Sequence, residues 1–421
     1  MIFNLIIIVL VFLISYHLYK SKTIIFICFL PFLVQYLWMF LSLLVIESGI
    51  YIDEQDRNGE FIFASFYLLS FFVTSILSFI FFFKLFDKIF KIDIPRVRFY
   101  EVDEMKIVLA IATIIIFLSY LNLLSSPSTY NDFTITKFNY WEYARFPILK
   151  GVLGSTIGYL PFIFGIVYKR YKKTTILFIL LYLFYLVGVD QKFTALLFGG
   201  ISFLLSYSII NFNFGNNKNI LLFKKRYLII IGILLFSLVL LKYTYKNSYA
   251  HLGLSPVESV FYRAFGLQAH LFWGVSEKYV INNKPNTWDI SELPYGMHIL
   301  MEDFIPINQK KHLKSLWERG VSWTNGYPAI LLRIFPFPIA IVFHFFIFSI
   351  IPFTYALLVK AFKRKNFLLA IILFQLILWL LNVYSMAYFY RLIKIIMIFV
   401  LISLLSYLFN KKNSDNEASV Q

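Results

Sequence analysis

The sequence predicts an all-α fold: a polytopic integral membrane helix bundle of about eleven spans, within a range of about ten to twelve. Two observations lead to this prediction. Hydrophobic residues make up 60% of the 421-residue chain and charged residues 14%, whereas soluble domains carry about 25% charged residues. Apolar runs of at least ~17 residues also recur along the chain, close to the ~20 residues that cross a bilayer. The composition therefore excludes a soluble enzyme.

The apolar runs divide the chain into spans of a single transmembrane domain, residues 1–421. The first run has neither a basic segment before it nor a small-residue cleavage site, so we expect it to remain as the first span. The single cysteine, Cys28, lies inside an apolar run, which excludes intramolecular disulfides and cysteine metal clusters. The predicted spans lie near residues 2–19, 23–46, 61–83, 107–125, 151–168, 174–189, 193–211, 227–241, 328–359, 367–386 and 392–409.

The charged residues predict how the spans are oriented. The chain has 39 Lys and Arg residues against 22 Asp and Glu, a formal net charge of +17, but the basic residues lie in short loops between apolar runs. Alternate loops hold 22 of the 39 basic residues, whereas the loop Glu47–Glu60 is acidic. Because basic loops stay on the cytoplasmic side, we expect the N-terminus outside and the C-terminus inside. The charge indicates a lipid bilayer as the partner and not nucleic acid.

Two long segments fall outside in this topology, residues 126–150 and 242–327. The second contains turn signals near Asn282–Pro285 and Leu293–Gly296, and the apolar-periodic stretches beside them predict two or three short helices. The short cytoplasmic loops contain neither a P-loop nor a Gly-rich dinucleotide motif, so ATP-driven transport has no support. We therefore expect the chemistry outside the membrane.

Four basic residues near the external ends of segments are candidates for binding phosphate. Arginine suits this task because its planar fork bonds phosphate oxygens bidentately and keeps its charge. Each candidate also has a structural alternative. Arg145 could anchor the chain at the interface, Arg263 could pair with Glu258 along a helix, Arg391 could extend to the surface, and Lys192 could be the polar tip of a helical hairpin. The residues alone leave these alternatives open.

His298 and Glu302 are the candidates for acid–base chemistry. They are four residues apart, so a helix would place them on one face, and histidine titrates near neutral pH while a carboxylate orients it. A histidine beside a capping carboxylate, with no catalytic role, is the alternative. The acidic pair Asp53 and Glu54 in the first external loop is a candidate metal site, with a solvated acidic face as the default interpretation. No spacing of ligands typical of a bound metal occurs in the chain.

The layout and three local patterns resemble those of the Wzy-type polymerases of O-antigen and capsule repeat units. Arg263 and Gly274 are separated by ten residues, similar to the Arg-x10-Gly pattern of that family, whereas Arg145 departs from the pattern. A basic residue opens a span after the polar turn Gly188–Lys192, and Ser322–Tyr327 lies where the large loop re-enters the membrane. The resemblance covers the whole chain in layout.

The resemblance implies polymerisation of undecaprenyl-diphosphate-linked oligosaccharides at the outer face of the bacterial inner membrane. It implies a glycosyltransferase that needs no nucleotide or metal cofactor, with a chain-length regulator protein as a candidate partner. In this interpretation Arg145, Lys192, Arg263 and Arg391 bind the diphosphate of the substrate, and guanidinium groups stabilise the charge on the leaving group. His298, with Glu302 behind it, is the candidate catalytic base.

Three other functions compete with this one. A flippase or transporter of the same lipid-linked oligosaccharide would need polar residues along the spans and similar halves, and the middle of the spans is nearly free of charge. An O-antigen ligase shares the expected fold and large external loop, so the sequence barely separates it from a polymerase. A metal-dependent lipid-linked glycosyltransferase would use Asp53 and Glu54.

Overall fold

The protein is all-helical wherever the computed structural model describes it, as its composition predicts. The described residues, whose ranges are given next, contain no strand. The structure describes residues 2–49, 63–89, 103–127, 135, 139–156, 158–189, 193–214, 237, 240, 244, 253–305, 310 and 325–397.

Sixteen α-helices in the described residues are numbered here in chain order. The first nine are α1 (Ile2–Ser21), α2 (Thr23–Ile46), α3 (Ala64–Ile89), α4 (Glu104–Ser125), α5 (Tyr140–Tyr143), α6 (Lys150–Thr156), α7 (Leu160–Val167), α8 (Lys172–Gly188) and α9 (Phe193–Phe214). The others are α10 (Pro256–Phe261), α11 (His270–Val275), α12 (Gly296–Phe304), α13 (Ala329–Ile334), α14 (Phe337–Ile347), α15 (Ile350–Lys363) and α16 (Phe367–Met386).

Six helical stretches of the described chain are long and apolar enough to cross a membrane: α1, α2, α3, α4, α14 with α15, and α16. They indicate a multi-pass membrane protein. The predicted total of about eleven spans is not confirmed. Most of the span predicted at 227–241 and most of the one at 392–409 lie outside the described residues, and the span predicted at 193–211 lies within α9, which has a shorter apolar stretch at Ala195–Asn211.

Two predicted spans are broken in the structure. The run 328–359 contains α13, α14 and α15, because Phe335 is extended (φ −123°, ψ 150°) before Pro336, as steric clash with a proline ring requires. The long apolar helix therefore begins at Phe337. The run 151–168 divides into α6 and α7, with Gly158 between them and a proline in the first turn of α7.

The helices define two ends of the bundle. We call one the basic end, where Arg170 pairs with Asp103, Lys360 Nζ lies 3.9 Å from Asp87 Oδ1, and Glu104 accepts a bond from the Phe367 amide. The other is the loop end, where α2, α4 and α16 finish and residues 253–305 pack. Basic residues gather at the basic end: Lys20, Lys22, Lys84, Lys88, Lys106, Lys169, Arg170, Lys172, Lys173, Lys360, Lys363, Arg364 and Lys365.

Small residues allow close packing inside the bundle, as in other membrane helix pairs. A Cβ at Gly165 in α7 would collide with the Ser206 hydroxyl and the Phe203 carbonyl of α9. The Ser206 hydroxyl instead donates a 2.7 Å hydrogen bond to the Phe162 carbonyl. Because α7 and α9 touch along their backbones, the short α7 is held firmly against its neighbour.

Polar contacts fasten the segment that re-enters the bundle before α13. Asn325 donates to the Gln268 carbonyl at 2.7 Å and accepts from Gln35 of α2 at 3.0 Å. The Gly326 amide donates to the Ser385 carbonyl near the end of α16 at 2.8 Å. Residues 253–305, the re-entry segment and the end of α16 are therefore joined at the loop end.

The described part of the segment 242–327 forms short helices, as predicted. The helices α10 and α11 each continue into a π-helical turn, at Tyr262–Gly266 and Ser276–Ile281. A 3₁₀ turn at Ile290–Tyr295 leads into α12. These short helices bring charged side chains to the loop end.

Candidate functional site

The short helix α12 packs against the end of α16 at a glycine. A Cβ at Gly296 would lie 2.9 Å from the Ala387 Cβ and 3.0 Å from Ile330 Cγ1. Without a side chain there, the first turn of α12 can approach Ala387 closely. This contact sets His298, half a turn further along α12, beside the residues that follow α16.

A left-handed residue turns the chain back after α16. Ala387 caps that helix with φ 51° and ψ 40°, a conformation that costs an alanine roughly 1–2 kcal/mol. The 3₁₀ turn Phe389–Arg391 follows directly. Because the chain reverses here, Tyr388, Tyr390 and Arg391 fold towards α12 and do not continue the axis of α16.

Arg391 is surrounded by neutral groups. Its guanidinium donates to Asn382 Oδ1 at 2.9 Å and to the Tyr390 hydroxyl at 3.1 Å. It also lies over the rings of Tyr388 and Tyr390, at 5.0 Å and 5.5 Å from their centroids, at cation–π distance. No carboxylate among the described residues forms an ion pair with it. A half-buried guanidinium held in this way can accept an anion.

His298 belongs to the same cluster. Its ring meets the Tyr388 ring edge to face, with centroids 5.0 Å apart. Burial lowers the pKa of His298, the charge of Glu302 raises it, and the charge of Arg391 lowers it, with a net decrease. The imidazole is therefore neutral at neutral pH and able to take up a proton. We call His298, Glu302, Tyr388, Tyr390 and Arg391 the open cluster.

A second charged group lies nearby and is fully paired. Arg333 bonds both Glu292 oxygens, at 2.9 Å and 3.2 Å, and forms an ion pair with Asp303. The Tyr279 hydroxyl accepts from Arg333 at 2.9 Å and donates to Asp303 at 2.7 Å. We call Tyr279, Glu292, Asp303 and Arg333 the brace, because they tie the segment after α11, the turn before α12, α12 itself and α13 together.

Lys278 stands at the edge of the brace. Its ammonium group donates to the Asp303 carbonyl at 3.4 Å and lies 3.9 Å from an Asp303 carboxylate oxygen. Burial, helped by the charges of Lys284, Arg333 and Lys310, lowers the pKa of Lys278 to about 8. Lys278 can therefore lose its ammonium proton at a pH that is only slightly above neutral.

The other predicted anion-binding residues are Arg145, Arg263 and Lys192. The Arg145 amide donates to the Ser126 hydroxyl at 2.9 Å, and the arginine side chain is exposed beside the end of α4. Arg263 lies in the π turn after α10, where its carbonyl accepts from Gln268. Glu258 closes a capping box with Ser255 and thus acts at the start of α10. Lys192 lies outside the described residues.

Asp53 and Glu54 lie outside the described residues. In the part of the chain that the structure describes, no group of three or more His, Cys, Asp and Glu side chains is placed to hold a metal ion. The independence from metal that the sequence suggests stays a prediction.

Sequence reasoning missed the neutral half of the open cluster. Tyr388, Tyr390 and Asn382 hold Arg391, yet tyrosine and asparagine are so common in this chain that their number carries no signal. The alternation Tyr-x-Tyr-Arg at 388–391 was the available signal, since such spacing places two rings beside one guanidinium. Sequence reasoning also missed the brace, because its four members come from positions 279 to 333.

One family model matches a part of the chain that contains the open cluster. The family described as "Family of unknown function (DUF6418)" matches residues 291–401, about a quarter of the chain. This similarity includes His298, Glu302, Arg333 and Arg391. No curated protein and no solved structure matches the chain.

Proposed function

We propose that this protein is a membrane glycosyltransferase that polymerises lipid-linked oligosaccharides, at the outer face of a bacterial inner membrane. The single observation that carries the proposal is the open cluster. A neutral histidine and an arginine without a carboxylate partner in the described chain lie together at one end of a multi-pass bundle. The layout of the sequence, which resembles Wzy-type polymerases, supplies the substrate class, undecaprenyl-diphosphate-linked oligosaccharide.

The open cluster offers the groups that this transfer needs. A hydroxyl of the acceptor sugar attacks the anomeric carbon of the donor glycan, and the bond from that carbon to the diphosphate oxygen breaks. His298 takes the proton of the hydroxyl, and Glu302 stabilises the imidazolium that forms. Arg391 stabilises the negative charge on the departing undecaprenyl diphosphate. Because His298 is neutral, it can act as the base that accepts this proton. Because the partners of Arg391 are neutral, its positive charge is available to the diphosphate of the substrate.

The distribution of charge supports the proposed orientation. Thirteen of the 22 described Lys and Arg residues lie at the basic end, opposite the open cluster, and basic loops tend to remain cytoplasmic. In our proposal the open cluster and the N-terminus lie outside and the C-terminus lies inside. Single cysteines replacing the exposed residues Lys284 and Lys363 test the orientation with a membrane-impermeant thiol reagent on intact spheroplasts. We expect labelling at 284 only, with the parent chain, whose Cys28 is buried, as the control.

Reconstitution tests the reaction itself. Purified protein in liposomes is given undecaprenyl-diphosphate-linked repeat units from the host strain, and products are separated by gel electrophoresis. We expect a ladder of lengthened glycans with wild type, and its loss with His298→Gln and with Arg391→Lys. Activity that persists in excess EDTA would support a reaction without metal, whereas loss restored by magnesium or manganese would move the site to Asp53 and Glu54.

A control substitution and the chemical identity of the products distinguish a polymerase from a ligase and from a flippase. Arg364→Lys makes the same change at the basic end and should keep the ladder. Transfer of preformed polymer to lipid A-core without lengthening would indicate a ligase. Movement of lipid-linked oligosaccharide across the bilayer without any new glycosidic bond would indicate a flippase. Either result would refute the polymerase proposal.

A further inference from the structure

A cavity opens at the loop end between the segment around α5 and α6 and the helices α8 and α9. Its volume is about 240 Å³, below the roughly 300–1,000 Å³ of pockets that enclose whole small-molecule ligands. Tyr140, Trp141, Tyr182 and Tyr185 form much of its wall. A space of this size suits one unit of a larger substrate.

The wall combines aromatic rings with hydroxyl groups and carries no charged side chain among the described residues. Tyr185 is 2% exposed, and its hydroxyl has no hydrogen-bond partner among the described residues. Buried polar groups are nearly always paired, so this hydroxyl is suited to bond an occupant of the cavity. The Tyr140 hydroxyl accepts a 3.2 Å bond from Asn122 and also bonds the Ser126 side chain, and its second lone pair can accept a bond from an occupant of the cavity.

Glycines keep the other side of the cavity open. Gly154 of α6 lines it, and a Cβ there would meet nothing within 4 Å. A Cβ at Gly199 of α9 would touch the Tyr182 hydroxyl at 3.3 Å. Side chains at these positions would fill the space that faces the aromatic rings. The result is a slot lined by aromatic rings, aliphatic side chains and glycine backbone.

The cavity and the open cluster lie along one face of α16. Leu378 lines the cavity, and Asn382, which bonds Arg391, is one helical turn further towards the loop end. Four residues of an α-helix rise about 6 Å. A group in the cavity and a phosphate bound to Arg391 are therefore close enough to belong to one molecule.

We propose that this cavity binds a single neutral sugar ring, the one joined to the diphosphate of the lipid-linked substrate. The C–H face of a sugar ring packs on aromatic side chains, and its hydroxyls bond the phenols of Tyr140 and Tyr185. The absence of charge in the described wall selects a neutral sugar over a uronic acid. An isoprenoid tail would leave the Tyr185 hydroxyl unsatisfied. That the ring belongs to a lipid diphosphate rests on the proposed function.

Saturation-transfer NMR on the full chain in lipid nanodiscs tests the cavity. The probes are methyl glycosides of neutral hexoses and N-acetylhexosamines, a methyl uronide, and farnesol, with empty nanodiscs as the blank. We expect wild type to saturate at least one neutral glycoside. Gly154→Leu should abolish the signal by filling the slot, and Tyr185→Phe should weaken binding about five- to tenfold through one lost hydrogen bond.

A matched glycine controls for damage to the helix. Gly151 lies one turn earlier on α6, is exposed, and a Cβ there also meets nothing within 4 Å, but it does not line the cavity. Gly151→Leu should bind as wild type does. Equal signals from Gly154→Leu and wild type, no signal from any neutral glycoside, or stronger transfer to farnesol or the uronide would overturn the proposal.

This binding experiment is independent of the reaction. Free glycosides need no lipid-linked donor, so loss of their signal in Gly154→Leu supports the cavity even if wild type makes no polymer. A wild type that makes polymer but shows no cavity-dependent glycoside signal would refute the sugar slot and leave the polymerase proposal in place.

Discussion

Two arginines at the loop end have opposite surroundings. The Arg333 side chain is 13% exposed and is paired with two carboxylates, whereas the Arg391 guanidinium rests on two tyrosine rings and an asparagine. The N–H donors and the charge of a guanidinium that bonds two carboxylates are already used, so it binds a phosphate poorly. The comparison indicates a structural role for Arg333 and supports the proposal that Arg391 binds a ligand.

Two histidines show the same contrast. His270 is 2% exposed in α11, and burial lowers its pKa to about 4. His298 is only half-buried in the open cluster, where Glu302 opposes the effect of burial on its pKa. His270 therefore stays neutral down to mildly acidic pH as part of the packed structure. His298, which is only half-buried, can exchange a proton with its surroundings.

The largest effect is expected from Arg391. Replacing it with lysine keeps the charge but removes the planar fork, and losing a group that stabilises a developing oxyanion typically lowers a rate ~100- to 1,000-fold. The initial rate of glycan lengthening in liposomes measures this. Arg364→Lys, at the basic end, serves as the control, and a rate for Arg391→Lys within about twofold of wild type would remove Arg391 from the site.

Arg333→Leu should mainly lower stability. It leaves Glu292 and Asp303 as partly buried carboxylates without their counter-charge, at a cost of about 2–3 kcal/mol, below the ~3–5 kcal/mol of a fully buried pair. Arg391→Leu should cost about 1 kcal/mol, because it loses cation–π contacts and two hydrogen bonds to neutral, partly exposed groups and leaves no buried charge unpaired. Thermal unfolding followed by tryptophan fluorescence compares the two. Equal destabilisation would mean that the two arginines do not differ as we describe.

His270 should make the protein sensitive to acid. Because its pKa is about 4 in the folded chain and ~6.5 in the unfolded chain, unfolding takes up a proton below about pH 6.5. The contribution of His270 to the free energy of unfolding is therefore complete above that pH. It is lost as the pH decreases towards 4, and about 2 kcal/mol is lost at about pH 5. His270→Phe should flatten this part of the curve of unfolding free energy against pH. A curve unchanged by the substitution would show that His270 is not the group responsible.

The smallest effect is expected from the Tyr279 hydroxyl, which links Arg333 to Asp303. Tyr279→Phe removes both bonds but leaves the ion pairs, so we expect a loss of about 1 kcal/mol in unfolding free energy. The rate of glycan lengthening should not change, since the brace does not contact the substrate in our proposal. A large fall in rate at normal stability would instead connect the brace with the reaction.

Sequence reasoning anticipated part of the open cluster. The four-residue spacing predicted that His298 and Glu302 share a helix face, and both lie on α12. The ends of the long helices were also close to prediction, because apolar runs stop where charges begin. The length of an apolar run does not predict the breaks at Pro336 and near Gly158, because proline and glycine interrupt a helix locally without making the run less apolar.

The sequence by itself determined that this protein is helical and multi-pass, since only helices satisfy the backbone of long apolar runs in a bilayer. It also determined which loops are basic and which residues could hold a proton or an anion. Only the tertiary structure decided which of these residues work together. The left-handed Ala387 and the close approach at Gly296 bring Arg391 to His298. In the brace, Arg333 and Tyr279 bind partners that lie 24 to 54 positions away in the chain. Such contacts depend on how short helices pack, which no local periodicity encodes.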